Sequence, residues 1–219
     1  MDELLYQMIF KRKSFHLFRN RLEISPEEIL KIQEKFPTLT PLDSSIRTDC
    51  VMVPAAETTC RRGEEFCILL YSESRGNFLQ NIGYIGEQLD LYLASLNIGA
   101  LWFGIGKTQQ LTWKGLDFVI MTAIAKMPED QFRKDLFKSK RKPMEEIWQG
   151  DSYRNIAEIA RFAPSACNTQ PWITETEPDK ISVYRYKKPG KRGELCRLKR
   201  QLFTIGSISA FFCRFWNYV

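Results

Sequence analysis

The sequence has few of the residues from which metal sites and disulfide frameworks are built. It contains one histidine, His16, and none of its six cysteines lies in a CxxC pair. Structural zinc sites need clustered Cys and His ligands, and disulfide frameworks are typical of small secreted domains. We therefore expect reduced thiols and no bound metal.

Long apolar runs are also missing. No stretch approaches the roughly eighteen consecutive apolar residues of a membrane span. Residues 1–18 are amphipathic rather than an apolar segment followed by a cleavage site. These absences predict a soluble, cytoplasmic protein that has no membrane partner.

The familiar catalytic motifs are absent as well. His16 has no nearby serine or cysteine in the context of an activated nucleophile. The string "GIGK" at 104–107 has the spacing of neither a P-loop nor a dinucleotide fingerprint. The polar groups that remain lie on tight turns beside clustered cations. This pattern favours a site for a phosphorylated planar ligand that itself carries the reactive atoms.

The composition is that of a folded protein. With 219 residues, of which 44% are hydrophobic and 13% aromatic, the chain can bury one sizeable core in one domain or at most two. The formal charge of +6 suggests nucleic-acid binding, but half of this charge lies in residues 194–219. The basic runs 138–142 and 187–192 accompany no recognisable nucleic-acid-reading element, so we expect no nucleic acid as a partner.

Capping signals and periodicity predict two helices near the N-terminus. Residues 2–13 read as a helix that brings a basic cluster to its C-terminal end. The next helix opens with Ser25 as N-cap, Pro26 at the first helical position and Glu28 at the third, which is the pattern of a capping box.

Apolar positions three and four residues apart predict the longest helix, from Asn77 to Asn97. We interpret Gly99 as the end of this helix and "LWFGIGK", residues 101–107, as a Gly-containing turn. A later helix is expected from a cap at Asp151 through Phe162. Short apolar runs predict strands at 50–53, 66–72, 117–126 and 181–186.

The end of the first helix carries a candidate phosphate site. Arg12, Lys13 and Ser14, with His16 close by, could bind a phosphate through charge-assisted hydrogen bonds. The alternative is a solvated helix terminus whose cations complement the helix dipole.

Two further segments have a functional and a simpler interpretation. Phe103 and Gly104 could place backbone N–H groups against a flavin-sized ring, or could form no more than a helix C-cap and turn. Arg141, in the run 138–143, could add a second phosphate cation, or could belong to a solvated loop.

The stretch "RFAPSACNTQPW", residues 161–172, is the most specific of the candidates. Pro164 fixes a backbone angle, and Ser165 and Asn168 offer short donors and acceptors. The amide of Gln170 suits a ring edge that carries both C=O and N–H groups.

Four strings together resemble the flavin-dependent nitroreductase family, most closely its branch of TM nitroreductases: "RKSFHLF", "GEQLDLYLASLNIGALWFG", "KRKPMEEIW" and "APSACNTQPW". The resemblance runs from about residue 8 to residue 193. It implies an α+β fold with a central, mainly antiparallel sheet flanked by helices. It also implies a single domain, 1–193, in which two half-units, about 1–150 and 151–193, are fused in one chain.

The resemblance also implies roles for individual residues. Arg12 and Ser14 would contact the phosphate of FMN, and Arg141 would add charge there. His16 stands where many relatives have a second arginine, which would weaken phosphate binding at high pH because a neutral imidazole offers one donor where guanidinium offers five. The expected neighbours of the isoalloxazine are Pro164, Ser165 and Asn168, with Gln170 close by, and Phe103 and Gly104 through backbone atoms.

In the family that the chain resembles, NAD(P)H reduces the flavin, and the flavin then reduces a nitroaromatic, a quinone or another acceptor. The expected cofactors are therefore FMN and, as electron donor, NAD(P)H, and the expected partner is a small-molecule electron acceptor. The protein would be a monomer in which the half-units form a pseudo-dimer, or a homodimer. The alternative is a flavin-binding or inactive truncated remnant without turnover.

The tail 194–219 departs from the pattern of the family. It has neither helical nor alternating periodicity, where the family would have an amphipathic helix. Back-translation read one base earlier permits a Pro-Pro turn followed by such a helix. Our hypothesis is that a frameshift after Gly193 has replaced the expected C-terminal helix with an aberrant tail.

Overall fold

The computed structural model describes residues 3–134 and 140–185. The predictions of an aberrant tail at 194–219 and of a basic run at 187–192 therefore fall outside the described residues. The same holds for the frameshift hypothesis and for the first part of the run 138–143.

Among the helices of the described residues, α1, α2, α3 and α5 correspond to predicted helices, whereas α4 was not predicted. They are α1 Glu3–Lys11, α2 Pro26–Lys35, α3 Phe78–Ser95, α4 Met144–Ile147 and α5 Arg154–Ala160. The predicted capping box is confirmed, because the Ser25 hydroxyl accepts from the Glu28 amide at 3.2 Å and the Glu28 carboxylate accepts from the Ser25 amide at 3.0 Å. Across residues 3–134 and 140–185, no helix is long and apolar enough to cross a membrane.

The larger sheet is antiparallel and has five strands. They are β1 Thr48–Pro54, β2 Phe66–Ser72, β3 Ile98–Phe103, β4 Thr112–Trp113 and β5 Leu116–Lys126. Their order is β1-β2-β5-β3, and β4 forms a hairpin with β5. The inner positions of β2 and β5 explain their continuous apolar sequences, since both faces of these strands are covered.

Alternate residues of β2 enter two different cores. Ile68 and Leu70 pack in a cluster with the apolar face of α3, whereas Leu69 and Tyr71 pack in a second cluster with Phe15. All four β2 residues are almost completely buried. Because side chains alternate across a strand, these two cores lie on opposite faces of the sheet.

The sequence-based interpretation of Gly99 is wrong. α3 ends at Ser95, Asn97 takes the left-handed conformation with φ 56°, and Gly99 lies inside β3. A Cβ at Gly99 would lie 2.7 Å from Cδ2 of Phe15, so glycine is needed there for the close approach of the segment that follows α1. The predicted turn "LWFGIGK" also starts later, because 101–103 completes β3.

Asp151 does not cap α5, contrary to the sequence-based expectation. The residue before the helix is Tyr153, with φ 59°, and no side chain caps it. Asp151 instead forms an exposed ion pair with Arg154 at 3.2 Å. The helix ends at Ala160 rather than at Phe162.

A second sheet is formed by three strands: β6 Trp148–Gln149, β7 Trp172–Glu177 and β8 Lys180–Arg185. β6 pairs with β7 in parallel, and β7 pairs with β8 in antiparallel orientation. The stretch 161–172 connects α5 with β7.

The small sheet shares its core with the first part of the chain. Leu5 and Ile9 of α1 and Leu91 of α3 pack in one cluster with Ile156 of α5 and Trp172 of β7. A segment of this size holds little apolar area of its own, so it depends on these helices for burial. The shared core brings the stretch 161–172 beside the end of α1.

Candidate functional site

Arg12 is anchored through one edge of its guanidinium. It is 5% exposed, and its Nε donates to Oδ2 of Asp90 on α3 at 2.8 Å. The same oxygen accepts from Nε1 of Trp102 at 3.0 Å. Burial acts to lower the pKa of Arg12, but the charges of Asp90 and Glu87 outweigh it and the pKa is raised. Nη2 of Arg12 donates to the Ser14 hydroxyl at 3.2 Å, so the outer edge of the guanidinium lies beside Ser14.

The segment after Arg12 is fixed to the edge of β3. Ser14 forms a parallel bridge with Ala100, and the Phe15 amide donates to the carbonyl of Ala100 at 3.0 Å. Nζ of Lys13 lies 4.7 Å from the centre of the Phe15 ring. His16 is exposed and has no hydrogen bond to any residue that the structure describes. The turn therefore fixes Lys13 and Ser14 beside Arg12 and leaves His16 in solvent.

Arg133 joins this group from the loop after β5, a position that sequence reasoning did not single out. Its amide donates to the carbonyl of Lys11 at 3.0 Å. It lines a cleft of about 510 Å³ together with Lys11, Phe132 and Lys134 and with the acidic residues Glu129 and Asp130. Burial and the charge of Arg12 lower the pKa of Arg133. Burial and the charge of Arg133 lower the pKa of Lys13, against a smaller raising effect of Asp130. The signal in the sequence was the basic stretch that begins at this residue.

Arg141 reaches the same region from the other described segment. Its Nη1 donates to Oδ1 of Asn168 at 2.7 Å, and its Nη2 donates to the carbonyl of Phe162 at 3.0 Å. Burial, followed by the charges of three nearby arginines, lowers the pKa of Arg141 to about 10, so it stays charged at neutral pH. The group that we call the cation cluster consists of Arg12, Lys13, Arg133, Arg141 and Arg161.

The side chains of Asn168 and Gln170 hold the segment 140–142 in place. Nδ2 of Asn168 donates to the carbonyl of Lys140 at 2.8 Å. Oε1 of Gln170 accepts from the Lys142 amide at 2.8 Å, and Nζ of Lys142 donates to the Gln170 carbonyl at 2.9 Å. We call this set of bonds the clamp. Gln170 is 4% exposed, so the clamp occupies its amide within the protein.

The backbone of the same loop is strained. Cys167, Asn168 and Gln170 have φ values of 53°, 51° and 44°, a region that residues other than glycine seldom adopt. The Ser165 hydroxyl accepts from the Gln170 amide at 3.0 Å and so closes the loop. Pro164 is half-buried just before it. Such conformations persist where surrounding bonds enforce them, and they cluster at ligand sites.

Two arginines flank Phe162 with donors that no described residue uses. The guanidinium carbons of Arg141 and Arg161 lie 5.9 Å and 5.7 Å from the centre of the Phe162 ring. Nη2 of Arg161 donates to the carbonyl of Lys142 at 3.0 Å. The Nε atoms of both arginines are buried without a hydrogen-bond partner among the described residues. Buried donors of this kind indicate a place for an acceptor.

Among the described residues, no hydrogen bond joins Phe103 or Gly104 to the cation cluster. Phe103 packs against the core at the end of β3, with its ring centre 5.9 Å from the guanidinium carbon of Arg62. Gly104 begins the turn that follows. The preceding residue, Trp102, is connected to the cluster because it donates to Asp90, which also holds Arg12.

The buried cysteines are poor candidates for a nucleophile. Burial is the main cause that raises the pKa of Cys60 to about 12 and that of Cys67 to about 11. The thiolate is the reactive form of cysteine, so both thiols are unreactive near neutral pH. Within 3–134 and 140–185, no group of three His, Cys, Asp or Glu side chains could hold a metal ion.

A family model described as "Putative TM nitroreductase" matches residues 4–199 of the chain. The match includes every residue of the cation cluster and the clamp. No protein among the curated proteins matches this chain.

The fold resembles solved structures of nitroreductases. A crystal structure of a putative nitroreductase from Thermotoga maritima has 17% sequence identity and a TM-score of 0.60, and the match covers 97% of this chain and 85% of that chain. A putative nitroreductase in complex with FMN from Desulfovibrio desulfuricans has 18% identity and a TM-score of 0.46, over 65% of this chain and 93% of that one. The first match confirms the predicted α+β fold with its antiparallel sheet.

Proposed function

The chain belongs to the putative TM nitroreductase family, and from this premise we propose that it is an FMN-dependent oxidoreductase. It uses NAD(P)H to reduce a nitroaromatic, a quinone or a similar small acceptor. The observation that supports this proposal most directly is the cation cluster, which brings positively charged side chains of both described segments together.

The charges of the cation cluster suit the phosphate of FMN. Its five cations face three carboxylates, since Glu87 and Asp90 act on Arg12 and Asp130 acts on Lys13. The two positive charges that remain match a phosphate monoester, which carries about −1.5 to −2 near pH 7. The buried Nε donors of Arg141 and Arg161 also favour an anionic acceptor. The residues present therefore fit a phosphate-bearing ligand.

We assign the phosphate to Arg12, Lys13, Ser14 and Arg141. Asp90 orients Arg12 so that its outer nitrogens remain beside Ser14. A phosphate would offset the mutual repulsion of these cations, which is largest where they are withdrawn from water. His16 is exposed and contributes little to this site.

The flavin ring is assigned to the strained loop. Pro164, Ser165 and Asn168 would line it, because they are at least partly accessible. Gln170 acts close to the ring through the clamp rather than by direct contact, since it is 4% exposed. Phe103 and Gly104 would approach through backbone atoms from the end of β3. The bound flavin would supply the ring that accepts and donates hydride.

We further propose one nitroreductase-like domain over 1–193, in which the half-units 1–150 and 151–193 are fused. The core shared by α1, α3, α5 and β7 supports this arrangement. The protein would act in the cytoplasm as a monomer or homodimer. Its partner would be a small-molecule electron acceptor rather than nucleic acid or membrane.

An absorbance spectrum of the purified protein, before and after addition of FMN, tests the proposal. We expect flavin absorbance and the oxidation of NADH or NADPH when a nitroaromatic or quinone is added. Arg141→Ala should weaken FMN binding, whereas Arg154→Ala, on the exposed side of α5, should not. A colourless protein that takes up no FMN would contradict the proposal. FMN binding without turnover would identify the flavin-binding remnant instead.

A further inference from the structure

Arg133 interacts electrostatically with most of the cation cluster. Its charge acts on Lys13 from the turn after α1 and on Arg141 from the second described segment. Arg12 in turn acts on Arg133. These interactions are effective because the groups are partly buried, where charges are screened less than in water. Arg133 therefore lies within reach of the groups that we assign to the phosphate.

The loop that carries Arg133 is held firmly against the end of α1. Phe132, which is buried, packs edge-to-face on Phe15 at a centroid distance of 5.1 Å. Nζ of Lys11 lies 5.1 Å from the centre of the Phe132 ring. The Arg133 amide donates to the Lys11 carbonyl at 3.0 Å. The backbone at residue 133 is thus fixed beside the turn that presents Ser14.

The Arg133 side chain is not committed to another group among the described residues. Within 3–134 and 140–185 it forms no ion pair and donates no side-chain hydrogen bond. The other guanidiniums of the cluster are engaged, with Arg12 bound to Asp90 and Arg141 bound to Asn168. A half-buried guanidinium with unused donors is suited to bidentate contact with a phosphate.

We propose that Arg133 is a phosphate-binding residue of the FMN site. This inference rests on the proposed function and names a further residue of the same site. The turn after α1 leaves His16 exposed to solvent, whereas the loop after β5 brings Arg133 into the electrostatic range of Arg12.

The test compares two flavins that differ only in the phosphate. Arg133→Gln keeps a long polar side chain and removes the charge. We expect this variant to bind FMN roughly 10- to 100-fold more weakly, the loss that a charge-assisted hydrogen bond implies, and to bind riboflavin with unchanged affinity. His16→Gln and Lys134→Gln, which change exposed neighbours, should alter FMN affinity by less than roughly 3-fold. Quenching of flavin fluorescence gives both dissociation constants.

A thermal-shift series with inorganic phosphate, at matched ionic strength, provides a second measurement. Phosphate should raise the Tm of the unaltered protein more than that of Arg133→Gln. Without phosphate the variant should be at least as stable as the unaltered protein, because one repelling charge has been removed.

Equal FMN affinity in Arg133→Gln and the unaltered protein would overturn the inference, and so would an equal loss for FMN and riboflavin. If the unaltered protein binds neither flavin, the proposed function fails separately. In that case the thermal-shift series with inorganic phosphate tests Arg133. If phosphate raises the Tm of Arg133→Gln as much as that of the unaltered protein, Arg133 does not bind phosphate.

Discussion

The two described segments of the chain are stabilised in different ways. Residues 3–134 form a five-stranded sheet in which Leu69 and Met121 are completely buried between neighbouring strands. Residues 140–185 contain short strands that share a core with α1 and α3, and the polar contacts of the clamp and of Arg141 hold the loop that connects α5 with β7. The first segment therefore specifies the fold mainly by apolar burial, and the second specifies local geometry mainly by hydrogen bonds.

This difference indicates why the candidate site lies where the segments meet. The second segment obtains apolar burial from α1 and α3, and its Arg141 interacts electrostatically with Arg12 just after α1. A polar loop placed there can present charges without interrupting the main core. The predictions below test whether the two kinds of stabilisation are separable.

Trp172→Ala should produce the largest loss of stability, about 4 kcal/mol, because a large aromatic side chain that is 2% exposed leaves a cavity. Trp172 packs with Leu5 but not with the cluster that contains Ile68. Hydrogen exchange should therefore show lost protection in α1 and β7 and retained protection in β2. Tyr184→Ala, at a 52% exposed position of β8, is the control and should change little. A uniform loss across both segments would contradict the separation.

Asp90→Ala should lower the free energy of unfolding by about 3 kcal/mol. The change leaves the buried guanidinium of Arg12 without its hydrogen-bonded carboxylate and removes the acceptor of Trp102. Urea denaturation measures the effect. Glu27→Ala breaks an exposed ion pair with Lys31 and should change the free energy of unfolding far less, because solvent screens such pairs. If both changes lower the free energy of unfolding equally, the bond between Arg12 and Asp90 does not stabilise the fold.

Gln170→Ala should cost about 2 kcal/mol, since it removes a buried side chain and the partly buried Lys142 amide loses its acceptor. It should also weaken FMN binding, because the loop that would line the ring loses its clamp. Gln149→Ala, at an exposed position of β6, provides a matched glutamine control with little expected change. Denaturation and FMN titration of both variants check the prediction, and unchanged FMN affinity in Gln170→Ala would separate the clamp from the site.

The smallest expected effect is a pH dependence in the first segment. Hydrogen bonds from Arg47, followed by one from Arg75, lower the pKa of Glu73 to about 2. Because the folded pKa lies below the ordinary value of about 4.3, this stabilisation is present above that value and is lost as the pH falls towards 2. The Tm difference between the unaltered protein and Glu73→Gln should therefore shrink from pH 5 to pH 2. The exposed Glu34→Gln should show no such trend.

The parts of the fold that the sequence predicts correctly are those encoded by local pattern. The capping box of Ser25 and Glu28 and the apolar spacing of α3 lie within single elements. The continuous apolar runs of β2 and β5 are similarly local signals. Each could be recognised without knowing which element packs against it.

The elements that were missed depend on distant partners. The sequence predicts a turn in place of much of β3 because Gly99 resembles a helix end. In the fold, Gly99 lies within the strand, where a Cβ would collide with Phe15. β6 has two residues and exists through its pairing with β7. For the candidate site, the sequence shows the residue types but not which of them lie close together in the fold. Neither the proximity of Arg133 to Arg12 nor the binding of Gln170 to Lys142 follows from spacing along the chain.

The bridge between Ser14 and Ala100 has a consequence for self-association. β3 is an outer strand of the five-stranded sheet, and an uncovered outer strand offers unpaired backbone groups to strands of other molecules. The segment 12–15 covers part of this edge in addition to presenting Arg12. Removal of the first sixteen residues should therefore promote aggregation, and under the proposed function it should also weaken FMN binding. One short segment would thus serve both the covering of a sheet edge and the proposed phosphate site.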